Sequence, residues 1–299
     1  MAPLKMNAKE KNILNLRPML EKVLKNFSAR ERIPTDPIQF PRSFYEQKKP
    51  QAEIEAIAFF TAMLSYGSAK QFTAKVAEIL KKCDNNFFGL ITSANKAEKF
   101  DWPNYRFSTS NDLKFFAIAL GNIFKKNGTL ENLFLKGFED NKELLDGISS
   151  VYAALISELL KLHDKESLTL GLKHLLSDPA KKSCLKRWMM FLRWMCRPDD
   201  GVDMGLWKKV SPSKLIIPLD VHISRISRNI GLTNRTANDL ATAQEITANL
   251  ALLSPEDPVK YDFALCHLGI SGKCTDGKNE ALCRQCYLVE VCSKTLSFR

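Results

Sequence analysis

The sequence lacks any apolar run approaching the roughly 18 uncharged residues that a membrane span needs, and no N-terminal run resembles a signal h-region. A soluble protein of the cytoplasm is expected, with no membrane partner. Alternating apolar and polar stretches of strand length are also missing, which argues against a sheet protein. Acidic residues are outnumbered, 33 Asp and Glu against 44 Lys and Arg, and the net charge of +11 suits a polyanionic partner such as nucleic acid. Histidine is scarce, and the four present do not cluster. His163 and His174 lie on apolar-periodic segments, His267 adjoins Cys266, and His222 stands two residues past Asp220, where it can orient that carboxylate. No repeat or low-complexity tract is found.

What the chain does have is helical periodicity almost throughout. From Ile54 to Leu64 every face is apolar, which predicts a central buried helix that Gly67 is placed to end. Stripes at Leu113, Phe116, Leu120 and Ile123, and from Leu144 to Leu162, predict two more core helices. Ala241 to Leu253 and Val259 to Leu268 read as helices, with Gly269 as the C-cap of the second. Ile13, Leu16, Leu20, Val23 and Phe27 mark one amphipathic helix near the start. Pro34, Pro37, Pro41 and Pro50 predict an extended connector over residues 33–50.

Eight cysteines divide into two groups. Cys83, Cys184, Cys196 and Cys266 are scattered through apolar helical sequence and read as small core residues. Cys274, Cys283, Cys286 and Cys292 crowd near the chain's end with gaps of eight, two and five residues. Four thiolates so spaced can converge on a 4Fe-4S cluster or on a tetrahedral zinc, and all-thiolate ligation does not choose between them.

That loop, following an apolar helix and the Leu268-Gly269 pair, resembles the cluster loop of endonuclease III and its relatives, the helix-hairpin-helix DNA glycosylases. Its first gap is longer than is usual in them. Upstream, Ile217-Pro218-Leu219-Asp220-Val221-His222-Ile223 resembles the segment that carries their essential aspartate at the mouth of a helix. Asp is also a preferred N-cap, and Asp220 can serve in both capacities. Met63-Leu64-Ser65-Tyr66-Gly67 is similar to the Leu-Ser step that leads those enzymes to DNA-facing residues. The resemblance covers about residues 51–299 and is nearest to a bacterial branch of the superfamily around Lys186 to Asp220.

The family's Leu-Pro-Gly-x-Gly hairpin, whose backbone N–H groups hold a DNA phosphate, is absent. In its region stands Ser183-Cys184-Leu185-Lys186-Arg187-Trp188, with Lys186 lying 34 positions before Asp220. The wide interval resembles archaeal 8-oxoguanine glycosylases and implies Lys186 as nucleophile, with Lys181, Lys182 and Arg187 as competing readings of the same basic cluster. A neutral amine can attack the sugar C1′ as a base leaves, and the Schiff base formed can eliminate the 3′ phosphate. A carboxylate stabilises the oxocarbenium-like charge and assists proton movement.

Asp199, Asp200 and Asp203 lie between them in a loop that reads as a polar turn, as a cation site or as a pocket lining. Trp188 and Trp207 are candidates to stack on a flipped base, and Arg187, Ser65, Tyr66, Lys273, Lys278 and Arg284 to contact DNA. The expected architecture is all-α, in two interwoven domains of the glycosylase type: residues 51–213, and residues 1–50 with 214–299. The resemblance implies a monomeric, nucleoid-associated glycosylase with abasic-site lyase activity on double-stranded DNA, removing an oxidised purine and carrying a structural 4Fe-4S cluster. The alternatives are a non-catalytic nucleic-acid-binding protein of the same fold and an RNA-modifying enzyme.

Overall fold

In the computed structural model, which describes residues 7–27, 29–163 and 167–298, every regular element among the described residues is helical. Strand-like pairing is confined among these residues to isolated bridges, Tyr105 with Ser108 and Ser183 with Asp239. No described helix is long and apolar enough to cross a membrane.

The chain forms two compact units. One comprises Met1–Arg32, Lys182–Arg193 and Lys209–Arg299, and the other Ile33–Lys181 and Trp194–Lys208. This division departs from the expected one at three places, of which the shortest is residues 209–213, in the terminal unit. Residues 33–50 join the central unit, where the Gln39–Glu46 helix packs on Gln51–Leu64 and Arg42 donates to Asp199 at 2.7 Å. Residues 182–193 join the terminal unit, where Cys184, Lys186 and Arg193 face Leu219, Asp220 and Asp262.

Residues 33–50 are not an extended connector. A short 3-10 turn at Ile33–Thr35 precedes the Gln39–Glu46 helix, and Pro41 lies inside that helix. Pro41 occupies the third helical position, where the backbone nitrogen has no carbonyl four residues back to bond, so its missing N–H costs little.

In the central unit the Gln51–Leu64 helix is buried without a break from Ile54 to Leu64. Phe60 stacks on Phe116 at 5.6 Å and meets Phe87 at 4.9 Å. A truncation of such a ring to alanine costs about 3–5 kcal/mol. Thr109 and Asp112 form a reciprocal cap that starts the Ser110–Asn127 helix. That helix meets the Phe87–Ile91 helix at Gly121, where a Cβ would lie 1.8 Å from the Ile91 carbonyl oxygen.

In the terminal unit the first amphipathic stretch is two helices, Ala8–Leu14 and Arg17–Asn26. Pro18 opens the second, a position that suits its fixed φ. Ile13, Leu16, Leu20, Val23 and Phe27 are buried, as the stripe predicts. The Asp262–Ile270 helix packs against Val221–Asn229. Gly269 is not its C-cap: the helix runs past it to Ile270, Ser271 is the cap, and Gly272 takes the positive φ of 75°. Gly269 is instead the crossing point, since a Cβ there would lie 2.6 Å from Cβ of His222.

Candidate active site

Asp220 adopts extended backbone geometry and caps the Val221–Asn229 helix. Its Oδ1 accepts from the N–H groups of His222 and Ile223, at 2.9 and 2.8 Å. The whole cap therefore rests on one carboxylate oxygen, and Oδ2 is left to other partners. The His222 side chain packs on Gly269, and its Nδ1 lies 3.5 Å from Arg225, so its backbone rather than its ring holds Asp220.

Nζ of Lys186 lies 4.0 Å from Oδ2 of Asp220. Lys186 is the first residue of the Lys186–Cys196 helix and follows Leu185, which is buried at 1% exposure with φ of +50°. A leucine in that region is strained and persists only where its surroundings hold it. The strained turn aims the start of the helix at Asp220. Lys186 keeps 36% of its side-chain surface exposed while Asp220 keeps 13%, so the amine borders solvent and the carboxylate is sheltered. The same helix is fixed further along by a buried ion pair between Arg193 and Asp262.

Two cysteines complete this cluster, and nothing in the sequence marks them for it. Sγ of Cys266 is 3.3 Å from Oδ2 of Asp220, and Sγ of Cys184 donates to the Leu219 carbonyl at 3.4 Å. Arg187, beside Lys186, is half-buried.

Trp188 and Trp207 are core residues, at 2% and 1% exposure, and present no open ring face for a base to stack on. Trp207 donates its indole N–H to Oε1 of Glu55 at 2.7 Å. Glu55 is fully buried and also accepts from Gln51 and from the N–H of Leu130, at the mouth of the Leu130–Asn141 helix. Burial pushes its pKa up to about 7 against these donors, which favour the ionised form.

The acidic loop is satisfied within the protein. Asp199 pairs with Arg42, and Arg197 spans Asp200 and Asp203. Burial opposes ionisation of Asp200, but the Arg197 charge and the N–H groups of Val202 and Asp203 outweigh it and hold its pKa below the usual range. The loop is a polar turn locked by arginines, not a pocket wall.

Ser65 ends the central helix, and its hydroxyl donates back to Thr61. Tyr66 belongs to an aromatic group with Tyr105, Phe107 and His174. Tyr105 and Ser108 exchange backbone hydrogen bonds across a two-residue turn, Arg106-Phe107, in which Arg106 has φ of +50°. The turn presents Phe107 at 59% exposure. Gly67, at φ +79°, makes room for the Arg106 guanidinium, which a Cβ would approach to 2.7 Å.

The four C-terminal cysteines are free thiols. Burial raises the pKa of Cys286, and the sulfurs of Cys274, Cys292 and Cys283 raise it further, so the four act on one another. Their chemistry fits a cluster or a zinc ion, although no three of the described side chains stand ready at the geometry of a single metal ion. Around them Lys278 and Arg284 are exposed, Arg284 pairs with Glu280, and Lys273 lies over the Phe27 ring at 5.4 Å.

A family model described as a protein of unknown function, DUF2400, matches residues 36–271, a span that includes Lys186 and Asp220 and stops short of Cys274. No curated protein and no solved structure matches the chain.

Proposed function

The chain belongs to the DUF2400 family, and from its own residues we propose that it is a DNA glycosylase with abasic-site lyase activity. The observation that carries this reading is the 4.0 Å approach of Lys186 Nζ to Asp220 Oδ2, between residues 34 positions apart in one unit. Lys186 is the nucleophile. Asp220 keeps Oδ2 for the reaction while Oδ1 holds the helix. As the glycosidic bond breaks, Oδ2 stabilises the positive charge growing on the sugar. The amine then adds to C1′, its proton passes to a nearby base, for which Oδ2 is positioned, and the C1′–O4′ bond breaks with O4′ taking up a proton, which opens the sugar to the imine. The resulting Schiff base acidifies the sugar's C2′ proton, and loss of that proton expels the 3′ phosphate.

Substrate is double-stranded DNA carrying a damaged base, with an oxidised purine as the first candidate. The basic charge of the chain favours phosphate binding, and an exposed phenylalanine next to an arginine suits contact with bases beside a phosphate. Cys274, Cys283, Cys286 and Cys292 would hold a 4Fe-4S cluster, whose contribution is to brace the loop that presents Lys278 and Arg284. A panel of duplexes, each with one lesion, tests the reading: release of a base from one of them is the expected result, and release from none contradicts it. Binding to undamaged duplex should weaken steeply with salt, and replacing Phe107 with alanine should weaken it at every salt concentration.

A further inference from the structure

Among the described residues, Oδ2 of Asp220 has two polar neighbours besides its own helix. Sγ of Cys266 stands at 3.3 Å and Nζ of Lys186 at 4.0 Å. The thiol is within hydrogen-bonding reach for sulfur, and the amine is beyond it. Cys184, on the opposite side of the chain segment in sequence, holds the carbonyl of Leu219. Neither cysteine is in a disulfide, and both are partly exposed.

We propose that Cys266 is a positioning residue for Asp220, its thiol donating to Oδ2 and holding that oxygen at 4.0 Å from Lys186, short of a direct hydrogen-bonded ion pair, while Cys184 steadies the preceding carbonyl. The inference rests on the reading of Asp220 as the charge-stabilising carboxylate. A thiol is a weak donor, so it can orient the oxygen without drawing away the negative charge that the sugar requires. With no donor at position 266, Oδ2 is free to close on Lys186. A direct hydrogen-bonded pair between them would keep the amine protonated and spend the carboxylate on the lysine. The expected defect of Cys266→Ala is therefore slower chemistry with unchanged DNA affinity, and Cys266→Ser, which restores a donor, should reverse much of it.

Two measurements test this together. The first follows alkylation of each cysteine by iodoacetamide, read by peptide mass spectrometry in the native protein and in Asp220→Asn. A carboxylate beside the sulfur opposes formation of the reactive thiolate, so removing its charge should speed alkylation of Cys266 by about threefold to tenfold. Cys83, in the other unit, serves as the unchanged reference. The second compares kcat and KM of Cys266→Ala and Cys266→Ser on a duplex with one abasic site. We expect kcat of the alanine variant to fall about tenfold at constant KM, with recovery in the serine variant. An unchanged Cys266 alkylation rate in Asp220→Asn would overturn the contact. Full kcat in Cys266→Ala would overturn the positioning role. Alkylation needs no enzymatic activity, so a native protein inert on DNA whose Cys266 still responds to Asp220 would refute the glycosylase reading and leave the thiol-carboxylate contact standing.

Discussion

The backbone N–H of His222 donates to Oδ1 of Asp220 at 2.9 Å, and the other carboxylate oxygen takes no part in the cap. Structural and chemical demands on Asp220 can therefore be separated by one substitution. Asn retains an oxygen at the Oδ1 position and caps a helix about as well as Asp. Asp220→Asn is expected to fold with stability within about 0.5 kcal/mol of the native protein and to bind DNA, while base excision falls by about 100-fold or more. Thermal unfolding and single-turnover excision on the same preparation check both halves.

Glu55 gives a pH signature in the central unit. Its folded-state pKa lies near 7 against an ordinary value of 4.5, so between these values the folded protein binds the proton more tightly than the unfolded chain does. Its contribution to stability is consequently greatest at acid pH and declines as pH rises from 4.5 to 7, by up to about 3 kcal/mol. Glu55→Gln removes the titration. It also turns an amide N–H toward the Trp207 indole or the Leu130 N–H, so the variant should be less stable than the native protein and show a flatter dependence on pH. Urea unfolding at pH 5 and pH 7.5 measures the difference between the two proteins, which cancels the contributions of other carboxylates.

The cysteine loop has a compositional test. Protein purified without oxygen should be brown, absorb broadly near 400 nm and hold about four irons per chain. Cys283→Ser and Cys286→Ser should lower the yield of soluble protein by destabilising the loop. Colourless protein with one equivalent of zinc would refute the cluster and retain the metal site.

Much of this was legible before any coordinates. The helical class followed from periodicity, and Ile54 to Leu64 showed its burial in a run of apolar residues on every face. Asp220 stood out because a cap residue before an apolar stripe has a local signature. Glu55 did not, since an acid in a helix resembles a solvated position and its partners Leu130 and Trp207 lie 75 and 152 residues away. Trp188 and Trp207 were misread for a related reason: whether an indole is buried depends on elements distant in sequence. The prolines of residues 33–50 hid a helix because Pro41 happens to fall in its first turn. Cys266 and Cys184 resembled ordinary core thiols, and only the fold brings them to Asp220. The Arg106-Phe107 turn carries no glycine or asparagine to announce it, although Arg106 takes a positive φ.

Lys186 is proposed to act as a nucleophile beside Asp220, and reduction of the Schiff base tests that most directly. The protein is incubated with borohydride and a duplex bearing one abasic site, which bypasses the identity of the lesion, and the adduct is mapped by peptide mass spectrometry. The expected result is a covalent protein-DNA adduct at Lys186 that Lys186→Gln abolishes while duplex binding persists. No adduct, or one at another amine that survives Lys186→Gln, would contradict it.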